Sequence, residues 1–408
     1  MRVTVRETGQ EMRMEHHGIL VIGGGNAGIS LAARLLRDGA PDVSIVEGQD
    51  VHRYRPLLNY VGAGEATMDE LERPMADVMP EGCTWIKDEV VDVDAAASLV
   101  HTRGGRTLHY STLVVCPGMS EDWDATPGLR EAYAAGWAGS TFVPASARQL
   151  WPTLRDARGT VVFTAPAEPS PCGATALKPL FMACDHWRRV GVLDQMHVAF
   201  ALPRANVTGL RSADDRLEGY FESYGIEVLR EAQVDRVDAD ARAVVVSHAG
   251  GASRTFDDVA FGHVVPAYRA PGWVADSGLA DGSWARVVDI DPETLRHRRH
   301  PRIWSIGDAA AVGTPPSGGA LRTQVDVLAH NIRVAVTGTG QLRRYDGYTV
   351  MPVTVSRQRL ILVEVDRHKR PAPSVRVIDL ARPRRTTWWF DRYGLPVTYF
   401  RRILRGKV

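Results

Sequence analysis

Gly18-Ile19-Leu20-Val21-Ile22-Gly23-Gly24-Gly25-Asn26-Ala27-Gly28 is the stretch that decides the fold. Its apolar run reads as a buried strand, its glycines as a tight turn, and Ile29 to Asp38 as the helix that follows. Val43-Ser44-Ile45-Val46-Glu47 reads as a second strand with an acidic end. Gly23, Gly25 and Gly28 permit the turn, the close approach of backbone to a pyrophosphate, and tight packing of helix on strand. The phosphates would meet the unpaired N–H groups of the first helical turn. Glu47 falls nineteen residues after Gly28, near the spacing expected of a carboxylate that binds a ribose 2′-hydroxyl. Strand, turn, helix and distal acid together point to a dinucleotide, where a lone glycine motif would say little.

Working outward, Val90 to Val100 and Arg106 to Val115 read as an antiparallel ribbon that ends in Leu113-Val114-Val115-Cys116-Pro117-Gly118. A second α/β unit runs from about Gly159 to Pro266. Its expected elements are a strand at Val161 to Thr164, a helix from Cys172 to Arg189, a strand at His197 to Ala201 and a helix from Asp214 to Tyr224. The chain then returns through Ile303-Trp304-Ser305-Ile306-Gly307-Asp308, a buried strand with an acidic end. The expected class is α/β, with two tandem Rossmann-like lobes and a C-terminal segment. Residues 18–120 and 286–340 form the first lobe, 121–285 the second and 341–408 the C-terminal region, preceded by a disordered leader over 1–17. In the second lobe the segment Val161 to Pro166 runs into Ser170-Pro171-Cys172-Gly173, with no second glycine loop. A cysteine stands where a pyridine nucleotide site would be expected.

With 408 residues the chain is long enough for two or three sizeable cores. A net charge of +1 argues against bulk capture of nucleic acid. Cys83, Cys116, Cys172 and Cys184 include no close pair, so neither a disulfide scaffold nor a metal site is suggested. The leader lacks the apolar core of a signal peptide, and no run approaches the roughly 20 apolar residues of a spanning helix. The arginine and alanine bias suits a bacterial coding sequence, and the compartment expected is cytoplasmic. His186, His197 and His263 read as structural histidines rather than proton relays.

Arg382 to Val408 changes character. Trp388, Trp389, Phe390, Tyr393, Tyr399 and Phe400 stand among eight basic residues, with Asp391 as the one acid. That mixture suits a membrane interface and equally a protein interface. The reading adopted is peripheral attachment to the inner face of the cytoplasmic membrane.

From about residue 18 onward the chain resembles the sulfide:quinone oxidoreductases, in the branch nearest the mitochondrial enzymes. The resemblance rests on His52-Arg53-Tyr54-Arg55-Pro56-Leu57 leading to Val61-Gly62-Ala63-Gly64, on Glu293-Thr294-Leu295-Arg296-His297-Arg298-Arg299 before Gly307-Asp308, and on Tyr345-Asp346-Gly347-Tyr348-Thr349. It implies FAD in the first lobe, framed by Gly23, Gly25, Gly28, Glu47, Pro56, Gly118, Gly307 and Asp308. It further implies no nicotinamide site, a C-terminal region shaping a quinone pocket, and Cys172 as the sulfur-handling residue. Partners would be quinone and sulfide or a small thiol, with a homo-oligomer possible in principle and no metal. A thiol at the start of the expected helix would have its thiolate stabilised by the helix dipole.

The sequence departs from that pattern in two places. The second cysteine expected from the resemblance falls at Met351, and a thioether can neither close a disulfide nor hold a persulfide. Cys184 lies twelve residues beyond Cys172, about 18 Å along one helix, too far to replace it. In Pro315-Pro316-Ser317-Gly318, where a lysine is often found in the family, Pro316 carries no charge. Two rivals stay open: an NAD(P)H-dependent quinone or disulfide reductase on the same fold, and a catalytically degenerate FAD-binding sensor or subunit.

Overall fold

A computed structural model describes residues 15–375 and 377–407. The first strand, β1 (Glu15–Ile22), begins earlier than expected, so residues 15–17 belong to the sheet and not to a leader. His16 and His17 pair in register with His109 and Tyr110, which is why the strand extends. Residues 1–14 lie outside the described residues.

After β1 come helix α1 (Asn26–Arg37), β2 (Val43–Val46), β3 (Thr84–Ile86), β4 (Val90–Asp94), β5 (Leu99–Thr102) and β6 (Thr107–Val115). The strand order is β3-β2-β1-β6-β5-β4. The expected ribbon is three strands, because β6 is long enough to serve twice. Its first residues pair antiparallel with β5, while most of its length runs parallel to β1. Leu20, Val21, Leu113 and Val114 are fully buried, as a sheet covered on both faces requires.

The second lobe is a parallel sheet. It contains β7 (Ala138–Gly139), β8 (Gly159–Thr164), β9 (Met196–Leu202), β10 (Glu227–Arg230) and β14 (Val259–His263), in the order β7-β14-β8-β9-β10. Between β8 and β9 lies helix α2 (Leu177–Arg189), and between β9 and β10 lies α3 (Arg211–Tyr224). An antiparallel sheet of β11 (Ala232–Asp238), β12 (Ala243–His248) and β13 (Ser253–Phe256) precedes β14. The chain returns to the first lobe with β15 (Ile303–Ser305), parallel to the end of β6, and α4 (Ala320–Thr337), which packs on α1.

The C-terminal region serves both lobes. The hairpin β16 (Thr349–Ser356) and β17 (Arg359–Val365) buries Met351, Val353, Val355, Ile361 and Val363 in the core of the second lobe, with Leu177, Leu180 and Phe181. The following α5 (Arg385–Trp389), a π-helical turn at Phe390–Gly394 and α6 (Leu395–Arg401) bring Tyr399, Ile403 and Leu404 into the core of the first lobe. Gly406 lies so close to α1 that a Cβ there would stand 2.6 Å from the Arg34 nitrogen. No helix among the described residues is long and apolar enough to cross a membrane.

Candidate active site

The glycine turn joins β1 to α1, and each glycine meets a different constraint. Gly23 has φ +103°, and a Cβ on it would lie 2.4 Å from the Cys116 carbonyl oxygen. A Cβ on Gly28 would lie 1.9 Å from the Gly23 carbonyl oxygen, so the helix can approach the turn only with glycine there. A Cβ on Gly25 meets nothing within 4 Å. Gly25 is also the N-cap of α1, without a side-chain cap, so its own side chain takes up none of the first-turn N–H groups. Glu47 closes the far side. Its Oε2 accepts from the Gly24 N–H at 2.7 Å and its Oε1 from the Gln49 N–H at 2.7 Å.

This arrangement fits FAD. The uncapped helix start and the open side of Gly25 admit a pyrophosphate, and Glu47 stands beside the turn where a ribose would lie. Gly118, φ +73°, follows the end of β6. Gly307 follows β15 with φ +84°, gives its N–H to Gln324 Oε1 at 3.0 Å and lies against Ala27. Asp308 comes next. Burial raises its pKa above the usual carboxylate range, and the Arg55 guanidinium opposes that rise. Pro56 lies beside Arg55 in a short 3-10 turn, Arg55–Leu57, and Arg55 also donates to the Phe142 carbonyl at 2.8 Å. Residues far apart in sequence therefore surround one place at the ends of β1, β2, β6 and β15.

Cys172 belongs to the second lobe, and charges from both lobes reach its thiol. Its thiol feels the charges of Asp308, Asp391 and Lys178, and burial pushes it up to about 12, with Lys178 opposing. Cys172 is half-buried and lies outside the hydrophobic clusters, unlike Cys116 and Cys184, which are buried within them. Its local geometry differs from expectation. No helix begins at Cys172: the residue has φ +51°, in the left-handed region, and precedes a 3-10 turn over Gly173–Ala176 before α2. A non-glycine residue held there carries strain, which the fold offsets through Thr175. The Cys172 carbonyl accepts from the Thr175 N–H at 2.9 Å and from its hydroxyl at 2.8 Å. Stabilisation of the thiolate by an α-helix dipole is thus corrected; burial dominates, and the nearby cation is Lys178.

Met351 is buried on β16, which packs against the turn Gly173–Ala176 and against α2. Among the histidines, His263 is fully buried. Its Nε2 accepts from the Thr141 N–H at 3.1 Å, and burial lowers its pKa to about 3, as befits a structural residue. His197 bonds Glu227 at 2.8 Å on the surface. His186 rests edge-on against Trp151.

Several site residues escaped the sequence reading. Lys178 is fully buried, and its Nζ lies 2.6 Å from Asp391 Oδ2. The Tyr60 hydroxyl donates to the same oxygen at 2.7 Å. Arg392, read from sequence as part of an interfacial basic cluster, is instead buried and bonds the Glu65 carbonyl and Glu70. His52 bonds the Gly24 carbonyl at 3.0 Å and the Tyr399 hydroxyl at 2.7 Å. One signal was available: a lysine within the apolar run Leu177 to Cys184 has to find a buried partner.

The family described as pyridine nucleotide-disulphide oxidoreductase matches residues 17–162. The mitochondrial sulfide:quinone oxidoreductase of Mus musculus is 27% identical over 394 residues, spanning 96% of this chain and 87% of the mouse protein. Over nearly its whole length the chain is similar to the mitochondrial sulfide:quinone oxidoreductases. A solved sulfide:quinone oxidoreductase, from Aquifex aeolicus, shares the fold with a TM-score of 0.82 at 16% identity, over 96% of this chain and 92% of that one. A chain of the Tetrahymena thermophila mitochondrial ATP synthase shares the same fold, with a TM-score of 0.81 and 17% identity over 99% of both. The sulfide:quinone oxidoreductase likeness thus extends well beyond the nucleotide turn.

Proposed function

We propose that this protein is an FAD-dependent oxidoreductase that moves electrons from sulfide, or a related sulfur nucleophile, to quinone, with Cys172 handling sulfur. One observation carries the assignment of Cys172. Cys172, half-buried and outside the hydrophobic clusters at the turn Gly173–Ala176, has its thiol within reach of the charge of Asp308, at the nucleotide end of the first lobe. FAD, when bound, supplies a two-electron acceptor. Gly23, Gly25, Gly28, Gly118 and Gly307 would shape its cradle, Glu47 would bind ribose, and Pro56 and Asp308 would frame the rest.

With Met351 on the neighbouring strand, Cys172 works without a second sulfur. The balanced reaction then needs an external thiol. Sulfide and the thiol together lose two electrons and two protons to give a persulfide, and quinone takes up both to give quinol. The rival that uses NAD(P)H lacks a second glycine loop after β8. The degenerate sensor or subunit predicts FAD that no donor reduces.

Membrane contact is part of the same proposal. Trp389, Phe390, Tyr393 and Val397 are exposed together in the C-terminal segment, with Arg385, Arg401 and Arg402 exposed around them. Aromatic rings at headgroup depth and guanidinium groups on anionic lipid suit peripheral attachment to the inner face of a cytoplasmic membrane. An anaerobic spectral titration with sulfide and then with NADH tests the assignment. Flavin bleaching by sulfide and none by NADH is expected. Bleaching by NADH alone would overturn it in favour of the reductase.

A further inference from the structure

We propose that Asp391, delivered by the C-terminal segment, is a positioning residue for the sulfur site: it compensates the buried charge of Lys178, and through Lys178 it favours the reactive form of Cys172. The inference rests on the proposed role of Cys172.

The geometry begins with an unusual burial. Lys178 has no exposed surface, whereas lysines normally keep the ammonium in water. Its Nζ lies 2.6 Å from Asp391 Oδ2 and 5.1 Å from the centre of the Tyr60 ring. Asp391 is buried as well, and Tyr60 donates to the same carboxylate oxygen. Three elements converge here: α2 brings Lys178, the π-helical turn brings Asp391, and the short helix Leu58–Val61 brings Tyr60. Arg392 follows Asp391 into the interior and is tied to Glu65 and Glu70, which fixes the turn on both sides.

A buried ion pair of this kind is weak evidence of stability, since desolvation offsets much of its attraction. Its position suggests a different use. Lys178 follows Cys172 by six residues, across the 3-10 turn, and it is the one cation among the charges acting on the thiol; Asp308 and Asp391 act in the opposite sense. Tyr54 and Thr175 also face Cys172, and Glu65 and Arg392 face Tyr60. Removing one partner of a buried pair leaves the other uncompensated. Removing Asp391 would therefore release Lys178 from the place at which its charge acts on the thiol.

That consequence separates an indirect role from a direct one. Acting only directly, Asp391 destabilises the thiolate, so Asp391→Asn would make Cys172 easier to ionise. Acting through Lys178, it does the reverse. The experiment follows the pH dependence of Cys172 alkylation by iodoacetamide in the purified FAD-loaded protein, read by peptide mass. Lys178→Met and Asp391→Asn are both expected to move the profile upward by about one pH unit or more, a roughly tenfold slower reaction at fixed pH. The double variant should move no further than Lys178→Met, and Asp391→Glu should largely restore the wild-type profile. Tyr60→Phe, which changes no charge, covers the case in which Asp391→Asn fails to fold; it should shift the profile in the same direction by less. A downward or absent shift in Asp391→Asn, or in Tyr60→Phe where that stands in, would overturn the proposal. So would a Lys178→Met profile identical to wild type. The readout needs no sulfide turnover. A protein that fails to oxidise sulfide but shows these shifts rejects the function and keeps the positioning role.

Discussion

His52 and Tyr399 are joined by a 2.7 Å hydrogen bond that ties the glycine turn to the last helix of the chain. The other His52 nitrogen bonds the Gly24 carbonyl, and Tyr54 lies 4.5 Å from the Tyr399 ring. The C-terminal segment is thereby part of the nucleotide lobe. Tyr399→Phe leaves a buried imidazole nitrogen without its partner, at a cost of about 1–3 kcal/mol. The expected outcome is a lower melting temperature and faster FAD release, measured by flavin fluorescence on dilution.

Gly25 and Gly28 should respond to alanine in opposite ways. At Gly28 a Cβ would meet backbone at 1.9 Å, so Gly28→Ala distorts the turn and costs stability on the order of 3 kcal/mol. At Gly25 the space is open, so Gly25→Ala should keep the melting temperature of the FAD-free protein and bind FAD at least tenfold more weakly. Parallel melts and FAD titrations of the two variants check this.

Buried histidines set a pH dependence. His263 has its pKa lowered to about 3 and His297 to about 4, in each case chiefly by burial. Both are depressed below the unfolded value near 6.5, so the unfolded chain binds protons that the folded one refuses. The stability they contribute is present above about pH 6.5 and falls as pH drops toward their folded values, by up to about 1.4 kcal/mol per pH unit for each. The carboxyls of Asp308 and Glu65, raised by partial burial, work against this loss. Urea unfolding at pH 7.5 and 5.5 should show a net decrease at the lower pH, smaller in His263→Asn.

Membrane contact predicts a separation of binding from folding. Replacing exposed Trp389, Phe390 and Val397 together by serine removes apolar area from the proposed contact side, and at about 25 cal/mol per Å² the affinity for anionic vesicles should fall at least tenfold. The melting temperature should change little. Sedimentation with vesicles, compared with the melt, provides the check.

Met351→Cys places a thiol on the strand that packs against the Cys172 turn. Formation of a disulfide between Cys172 and the introduced thiol, counted as two lost free thiols, together with faster sulfide oxidation, is the expected outcome.

The nucleotide turn was legible because glycines at fixed spacing leave the backbone few alternatives, and β1, α1 and β2 follow it within a few residues of the expected bounds. The strand at Ile303–Ser305 and the second-lobe strands β8 and β9 were legible from apolar runs, whereas the other strands of that lobe were not read from sequence. Less was visible at Cys172. An apolar stretch reads as helix from its first residue, whereas the left-handed residue and the 3-10 turn answer to Thr175 and to tertiary packing. Burial of Lys178, Asp391 and Arg392 was hidden for a similar reason. A basic, aromatic tail has the composition of an interface, and only the fold shows which charges turn inward while Trp389 and Phe390 remain outside.

Anaerobic mixing of sulfide with the wild-type protein and with Cys172→Ala tests the central claim most directly, with flavin absorbance as the readout. Rapid bleaching in the wild type and its loss in Cys172→Ala is the predicted result. Bleaching at the same rate in both would contradict a cysteine route to the flavin.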